Sequence, residues 1–171
     1  MIALESEGWV SIEPHRGAFV HGLDVNSVRD HYALLGQLYG LAAERATERG
    51  DDQGLEALAA AERLLRVAHD PESVLHANEA FLRQIFVMAH SPRLSSFGRL
   101  MTGVIPGNFF ELVPGTVEPQ KRGIEAVNHA VKESNGKRAA AEFVQMLRGH
   151  GDLVVDLLQS RHILWAVGEQ R

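Results

Sequence analysis

The stretch FVQMLRGHGDLVVDL, residues 143–157, contains apolar residues at the spacing of an α-helix. Phe143, Leu147, His150, Val154 and Leu157 follow one another at intervals of four, three, four and three residues. At about 3.6 residues per turn, these side chains lie on one face of a helix. The stretch therefore predicts a helix that turns an apolar face towards a core, with one histidine in the middle of that face.

The same periodicity predicts six helices over most of the chain. The Asp70–Pro71 pair is a strong helix start, because aspartate caps the first turn and proline suits its first position. The predicted helices span about residues 24–49, 51–69, 70–89, 91–106, 117–134 and 137–160. The stretch IPGNFFELVPGT, residues 105–116, is the least regular part.

Three of the other predicted helices also have an apolar face that includes polar residues. These faces consist of Leu35, Leu38, Tyr39 and Ala42 on the first helix, of Leu75, Asn78, Leu82, Ile85 and Ala89 on the third, and of Ile124, Val127, Asn128 and Val131 on the fifth. A buried polar group without a partner costs roughly 1–3 kcal/mol. The pattern predicts an all-α fold, an antiparallel bundle of about six helices with a small polar spot at its centre.

Composition and charge exclude several classes of protein. The 171 residues include no cysteine, which excludes a disulfide framework, a cysteine zinc site and a thiol nucleophile. The formal net charge of −5 argues against a self-sufficient nucleic-acid binder. No apolar run approaches the roughly 20 residues of a membrane span, and the acidic N-terminal residues do not fit a signal peptide. We therefore expect a soluble cytoplasmic protein with no membrane partner.

The N-terminal stretch LESEGWVSIEPHRGAFV, residues 4–20, predicts a β-hairpin with strands over 9–12 and 18–20 and a turn over 14–17. A two-stranded ribbon is marginal by itself in water. The stretch resembles the wing of GntR-type winged helix-turn-helix regulators. The matching residues are Leu4, Glu5, Glu7, Gly8, Val10, Pro14, Arg16, Gly17, Phe19 and Val20.

Three further segments resemble, in the right order, the FadR-type effector domain, called the FCD domain. They are residues 23–49, residues 76–94 and residues 146–158, the last with an inward-facing histidine. The resemblance implies a wing remnant over residues 1–22, with Pro14, Arg16 and Gly17 as DNA-contacting residues. It implies an effector-binding and dimerisation domain over residues 23–171. The helices that enter DNA are expected before Leu4, so we expect a homodimer that binds DNA only with this helix-turn-helix restored.

Many FCD domains hold a divalent metal through one aspartate and three histidines, and the resemblance matches these positions to residues of this chain. The aspartate and the first histidine match Asn78 and Leu82. The second histidine matches either Ile124 or Asn128, and the third matches His150. Asparagine is a poor ligand for a transition metal and leucine is none. We therefore expect no metal and no other cofactor; a divalent ion held through His150 is the alternative.

The expected pocket is more apolar than in metal-binding relatives, in which an arginine and a glutamate stand at the positions of Leu35 and Tyr39. This predicts an apolar effector, such as a fatty-acyl or lipid-like molecule, with its polar end near His150. The expected pocket residues are Leu35, Tyr39, Asn78, Leu82, Ile124, Asn128 and His150.

Other interpretations stay open. His150 and Asn78 are also consistent with ordinary core residues that have hydrogen-bond partners. The chain is also consistent with a metal- or organic-acid-sensing regulator, or with a DNA-free modulator of paralogous regulators. We expect no enzyme activity, because no motif supplies a partner for His150 as a general base.

Overall fold

The computed structural model describes residues 10–13, 17–20, 24–102, 105 and 108–161. In these residues two strands precede seven helices. The strands are β1 (Val10–Glu13) and β2 (Gly17–Val20), and the helices are α1 (Val25–Arg49), α2 (Asp52–Val67), α3 (Pro71–Met88), α4 (Pro92–Thr102), α5 (Phe109–Leu112), α6 (Val117–Lys132) and α7 (Gly136–Ser160). Across this described part of the chain, no helix is long and apolar enough to cross a membrane.

The predicted β-hairpin is present, although its strands differ from the prediction by one residue. β1 pairs with β2 in antiparallel orientation, from Val10 opposite Val20 to Glu13 opposite Gly17. Gly17 was predicted in the turn, but it pairs with Glu13 and is the first residue of β2. Pro14 and Arg16, the other predicted wing residues, lie outside the described residues.

Aspartate side chains begin three helices: Asp70 as the sequence predicts, and Asp24 and Asp51 where the sequence also allowed Asn26 and Asp52. Asp24, Asp51 and Asp70 each accept a hydrogen bond from the backbone N–H three residues further on, at 2.8, 2.7 and 2.8 Å. Each bond satisfies a backbone donor that the first turn of a helix leaves without a partner. Asn135 caps α7 in the same way and accepts from the Arg138 N–H at 3.0 Å. Local sequence thus determines where α1, α2, α3 and α7 begin.

The segment between α4 and α6 differs from the prediction. α4 is described as far as Thr102, and the stretch predicted to be irregular contains the additional short helix α5. Phe109 and Phe110 are both buried, and their rings meet edge to face with centroids 5.4 Å apart. The packing of two aromatic side chains stabilises this single turn, which the propensity of four residues alone would not sustain.

The two longest helices, α1 and α7, lie antiparallel and in close contact. A Cβ atom on Gly36 would lie 3.2 Å from the Val144 Cα, and one on Gly40 would lie 3.0 Å from the Ala140 carbonyl oxygen. The contacting residue numbers fall along α7 as they rise along α1, which shows that the two helices run in opposite directions. α6 packs on α7, and α3 packs on α1 and α2. The predicted antiparallel all-α bundle is thereby confirmed for the described residues.

Candidate functional site

A cavity of about 630 Å³ lies among α1, α3, α4, α5, α6 and α7. This volume is within the range of about 300–1,000 Å³ that is typical of small-molecule sites. Much of the wall is aliphatic or aromatic, and it includes Tyr32, Leu35, Leu75, Leu82, Phe86, Phe109, Phe110, Met146 and Leu147. The bundle therefore contains a mainly apolar chamber large enough for a small molecule.

Five of the seven predicted pocket residues line this cavity. They come from α1, α3 and α7, and they are Leu35, Tyr39, Asn78, Leu82 and His150. The structure thus brings together residues that are up to 115 positions apart in the sequence, from Leu35 to His150. Their role in binding an effector stays a prediction.

The other two predicted residues, Ile124 and Asn128, do not line the cavity. Ile124 is fully buried, and Asn128 is buried with an Oδ1 atom that has no hydrogen-bond partner in the described part of the chain. The α6 residue at the cavity is Gln120. Since Gln120 precedes Ile124 by one helical turn, the helix face was predicted correctly, but α6 meets the cavity one turn nearer its N-terminus. Extending the apolar face back by four residues would have found Gln120.

Three polar side chains from different helices line the cavity, and together we call them the polar cluster: Asn78 on α3, Gln120 on α6 and His150 on α7. Gln120 Nε2 donates a hydrogen bond of 2.5 Å to Asn78 Oδ1. This bond joins α3 to α6. It leaves Asn78 Nδ2 and Gln120 Oε1 without a partner among the described residues. The lining of the chamber can therefore donate and accept further hydrogen bonds.

His150 is the buried imidazole of the polar cluster. It is 2% exposed, and its Nε2 atom has no hydrogen-bond partner within the described ranges. Burial lowers the pKa of His150 to about 4, while a hydrogen bond with the Thr116 backbone acts in the opposite direction. The imidazole is therefore uncharged at neutral pH. The Phe109 ring lies beside it, with ring centroids 5.9 Å apart.

Charged side chains stand at the rim of the cavity, where sequence reasoning expected none. Glu79, Arg83 and Arg99 belong to the lining and are exposed to solvent. Within the described part of the chain, Glu79 and Arg83 form no ion pair, and Arg99 donates to the Ser96 hydroxyl at 3.3 Å. Glu79 and Arg83 are four residues apart and each follows a lining residue of α3, so the two lie together at one edge of the helix face that meets the cavity. Arg99 comes from α4 and reaches the rim only through tertiary packing.

The residues of the cavity do not fit the divalent metal that the family resemblance implies. Of the matched positions, only His150 is a type that binds transition metals, and the other members of the polar cluster are amides. No group of three or more His, Cys, Asp or Glu side chains in the described residues is arranged to hold a metal ion. These residues are therefore not suited to hold a transition metal.

The FCD domain family matches residues 30–149, which is well over half of the chain. Two curated relatives, both called uncharacterized HTH-type transcriptional regulator and found in two strains of Mycobacterium tuberculosis, are 29% identical to the chain over 142 residues. The match covers 82% of this chain and 58% of each relative. The chain thus spans a little over half the length of these relatives.

Two solved structures share the fold. A transcriptional regulator of the GntR family from Pseudomonas syringae pv. tomato has a TM-score of 0.72 at 20% identity, over 93% of this chain and 68% of that chain. The E. coli protein McbR/YncC has a TM-score of 0.66 at 18% identity, over 94% of this chain and 77% of its own. At these identities the similarity shows the fold. The curated relatives and the Pseudomonas protein are named as transcriptional regulators, not enzymes.

Proposed function

The chain belongs to the FCD domain family, and we propose that it is the effector-binding domain of a GntR-family transcription regulator of the FadR subfamily. In this proposal residues 23–171 bind the effector and form a homodimer in the cytoplasm. Residues 1–22 form part of the wing of a DNA-binding domain, and DNA recognition depends on a helix-turn-helix joined to that wing. The names of the relatives and the shared fold support this assignment.

The observation that carries the proposal is the 630 Å³ cavity, whose mainly apolar lining also includes the polar side chains of Asn78, Gln120 and His150. A chamber lined mainly by apolar side chains, with a few polar atoms on one wall, is the usual form of a small-molecule site.

The apolar wall favours an effector with an apolar body, such as a fatty-acyl or other lipid-like molecule. Each methylene group transferred from water into such a chamber contributes about 0.8 kcal/mol. The exposed guanidinium groups of Arg83 and Arg99 favour a second candidate, an organic acid, because arginine binds carboxylates well. A fatty acid combines both features, since its chain fills the chamber and its carboxylate suits the rim.

The effector would act by favouring one arrangement of the helices. A ligand shifts such an equilibrium only by the difference between its affinities for the two arrangements. Leu35 and Tyr39 give α1 a direct contact with the cavity, and α1 begins five residues after the hairpin strand β2 ends. A change in α1 would therefore reach the DNA-binding wing and couple the two sites.

A thermal-shift assay tests the effector class. Decanoate at 100 times its Kd would stabilise the folded chain by about 2.7 kcal/mol, which raises the Tm by roughly 5–10 °C. Citrate has no chain to fill the chamber, so we expect no comparable increase. Leu82→Asp should abolish the effect of decanoate, because it places a charge in the apolar wall. The matched control is Leu64→Asp on α2, where the leucine is 59% exposed and outside the cavity.

Two outcomes would contradict the proposed effector class. One is stabilisation by citrate while fatty acids of every length have no effect. The other is an equal loss of the decanoate effect in Leu64→Asp and Leu82→Asp, because the response would then not come from the cavity.

A further inference from the structure

The hydrogen bond between Asn78 and Gln120 leaves each of these side chains with one unused amide atom. Gln120 Nε2 donates to Asn78 Oδ1 at 2.5 Å, so the unused atoms are Asn78 Nδ2, a donor, and Gln120 Oε1, an acceptor. Two primary amides joined by one hydrogen bond keep one free NH₂ group and one free carbonyl oxygen, whichever of them donates. This amide pair therefore offers a ligand one donor and one acceptor.

Both unused atoms of the amide pair are open to a ligand. Neither has a hydrogen-bond partner within the described ranges. The polar side-chain atoms of the described residues that lack a partner and are closed off from solvent include Asn128 Oδ1 and His150 Nε2, but neither atom of the amide pair. Gln120 is only 3% exposed, and both side chains line the cavity, so the chamber is the open space beside them.

The two open atoms also lie close together. The bond lengths of an amide and the 2.5 Å hydrogen bond keep Asn78 Nδ2 within about 8 Å of Gln120 Oε1. A ligand group of a few atoms can therefore contact both. An amide group suits this arrangement, because its N–H can donate to Gln120 Oε1 while its carbonyl oxygen accepts from Asn78 Nδ2. A hydroxyl would have to make both bonds through one oxygen.

The distribution of charge favours an uncharged group at the amide pair. The charged side chains of the lining are Glu79, Arg83 and Arg99, and all three are exposed at the rim. A carboxylate has no hydrogen to donate to Gln120 Oε1, and burying its charge without a cationic partner is costly. An amide carries no charge and leaves neither open atom without a hydrogen bond.

We propose that the effector carries an amide group, with an N–H and a C=O on neighbouring atoms, that pairs with Asn78 and Gln120 while an apolar body fills the chamber. This inference rests on the proposed function and adds the chemistry of the polar group and two specificity-determining residues. A fatty acid binds in a different way, with its carboxylate at the rim.

Calorimetric titration of the full chain tests this proposal. The probes are N-methyl amides of straight-chain fatty acids of six to ten carbons, the methyl esters of the same acids, primary alcohols of equal length, and the acids themselves. The ester matches the amide in size and keeps the carbonyl oxygen but has no N–H. At the best-fitting length, the amide should bind about 3–10-fold more tightly than the ester or the alcohol.

One variant and a matched control locate this preference. Gln120→Met keeps an unbranched side chain of similar length and removes the acceptor, so the preference for the amide over the ester should disappear while both still bind. Asn128→Leu is the control, because Asn128 is a buried amide on the same helix but outside the cavity lining. This variant should keep the preference.

Nuclear magnetic resonance of the chain with isotope-labelled asparagine and glutamine adds a readout that needs no variant. The side-chain NH₂ signals of Asn78 should shift when the N-methyl amide binds, and those of Asn128 should not. Unchanged Asn78 signals, an ester or alcohol that binds as tightly as the amide, or an undiminished preference in Gln120→Met would overturn this inference alone. Failure of every probe to bind would overturn the apolar effector of the proposed function and, with it, this inference.

Discussion

Lowering the pH should destabilise the folded chain through one buried side chain, His150. Burial lowers the pKa of the folded ring from the ordinary value of 6.5 to about 4. Between these two values, the unfolded chain binds more protons at this residue than the folded chain does. The stability therefore falls as the pH falls through this range. Above pH 6.5 and below about pH 4, His150 adds little further pH dependence.

The size of the effect follows from the difference between the two pKa values. One pKa unit corresponds to about 1.4 kcal/mol, so a change from pH 7 to pH 4 lowers the free energy of unfolding by about 3 kcal/mol through His150. His150→Phe removes this titration and keeps an aromatic ring beside Phe109. Urea denaturation of both proteins, at several pH values and at one protein concentration, gives the free energies to compare.

The difference in stability, wild type minus His150→Phe, should fall by about 3 kcal/mol from pH 7 to pH 4. Burial also lowers the pKa of His31, but this residue is present in both proteins, and so are the carboxylates. Its contribution cancels in the difference, which isolates His150. A difference that stays constant over this pH range would refute the claim that His150 is held as a neutral ring in the polar cluster.

Four further predictions follow from packing and composition. Gly40→Ala should lower the free energy of unfolding by about 1 kcal/mol, because a Cβ atom 3.0 Å from the Ala140 carbonyl oxygen overpacks the α1–α7 contact. Gly149→Ala should raise it by about 0.5–1 kcal/mol in the same denaturation assay, because its Cβ atom would meet no atom of the described residues within 4 Å. Dialysis against a chelator should leave the Tm unchanged. A large fall in the Tm that added zinc reverses would show that the cavity residues do bind a metal. In a gel-shift assay, the 171-residue chain should show no sequence-selective DNA binding; nanomolar selective binding would contradict this.

Several features of the fold and site were predictable because they depend on neighbouring residues in the sequence. Aspartate is a preferred N-cap because its side chain accepts from a backbone N–H within the first turn, so the Asp70 start was predicted and Asp24 and Asp51 were each one of two candidates. Helical periodicity likewise places Asn78 and Leu82 on one face of α3, and both line the cavity. The short helix α5 was missed, because its stability comes from burying Phe109 and Phe110 rather than from its own four residues.

The sequence by itself determined the helical class, the positions of the long helices and the faces that they turn inward, since each follows from interactions within a few turns. Only the tertiary structure decided which turn of each face meets the cavity. Periodicity does not distinguish Gln120 from Ile124, because the two residues share a face of α6. The packing of α6 against α3, where Gln120 is hydrogen-bonded to Asn78, places Gln120 at the cavity instead of Ile124. Arg99 reaches the rim for a similar reason, because the position of α4 depends on packing between elements distant in the sequence.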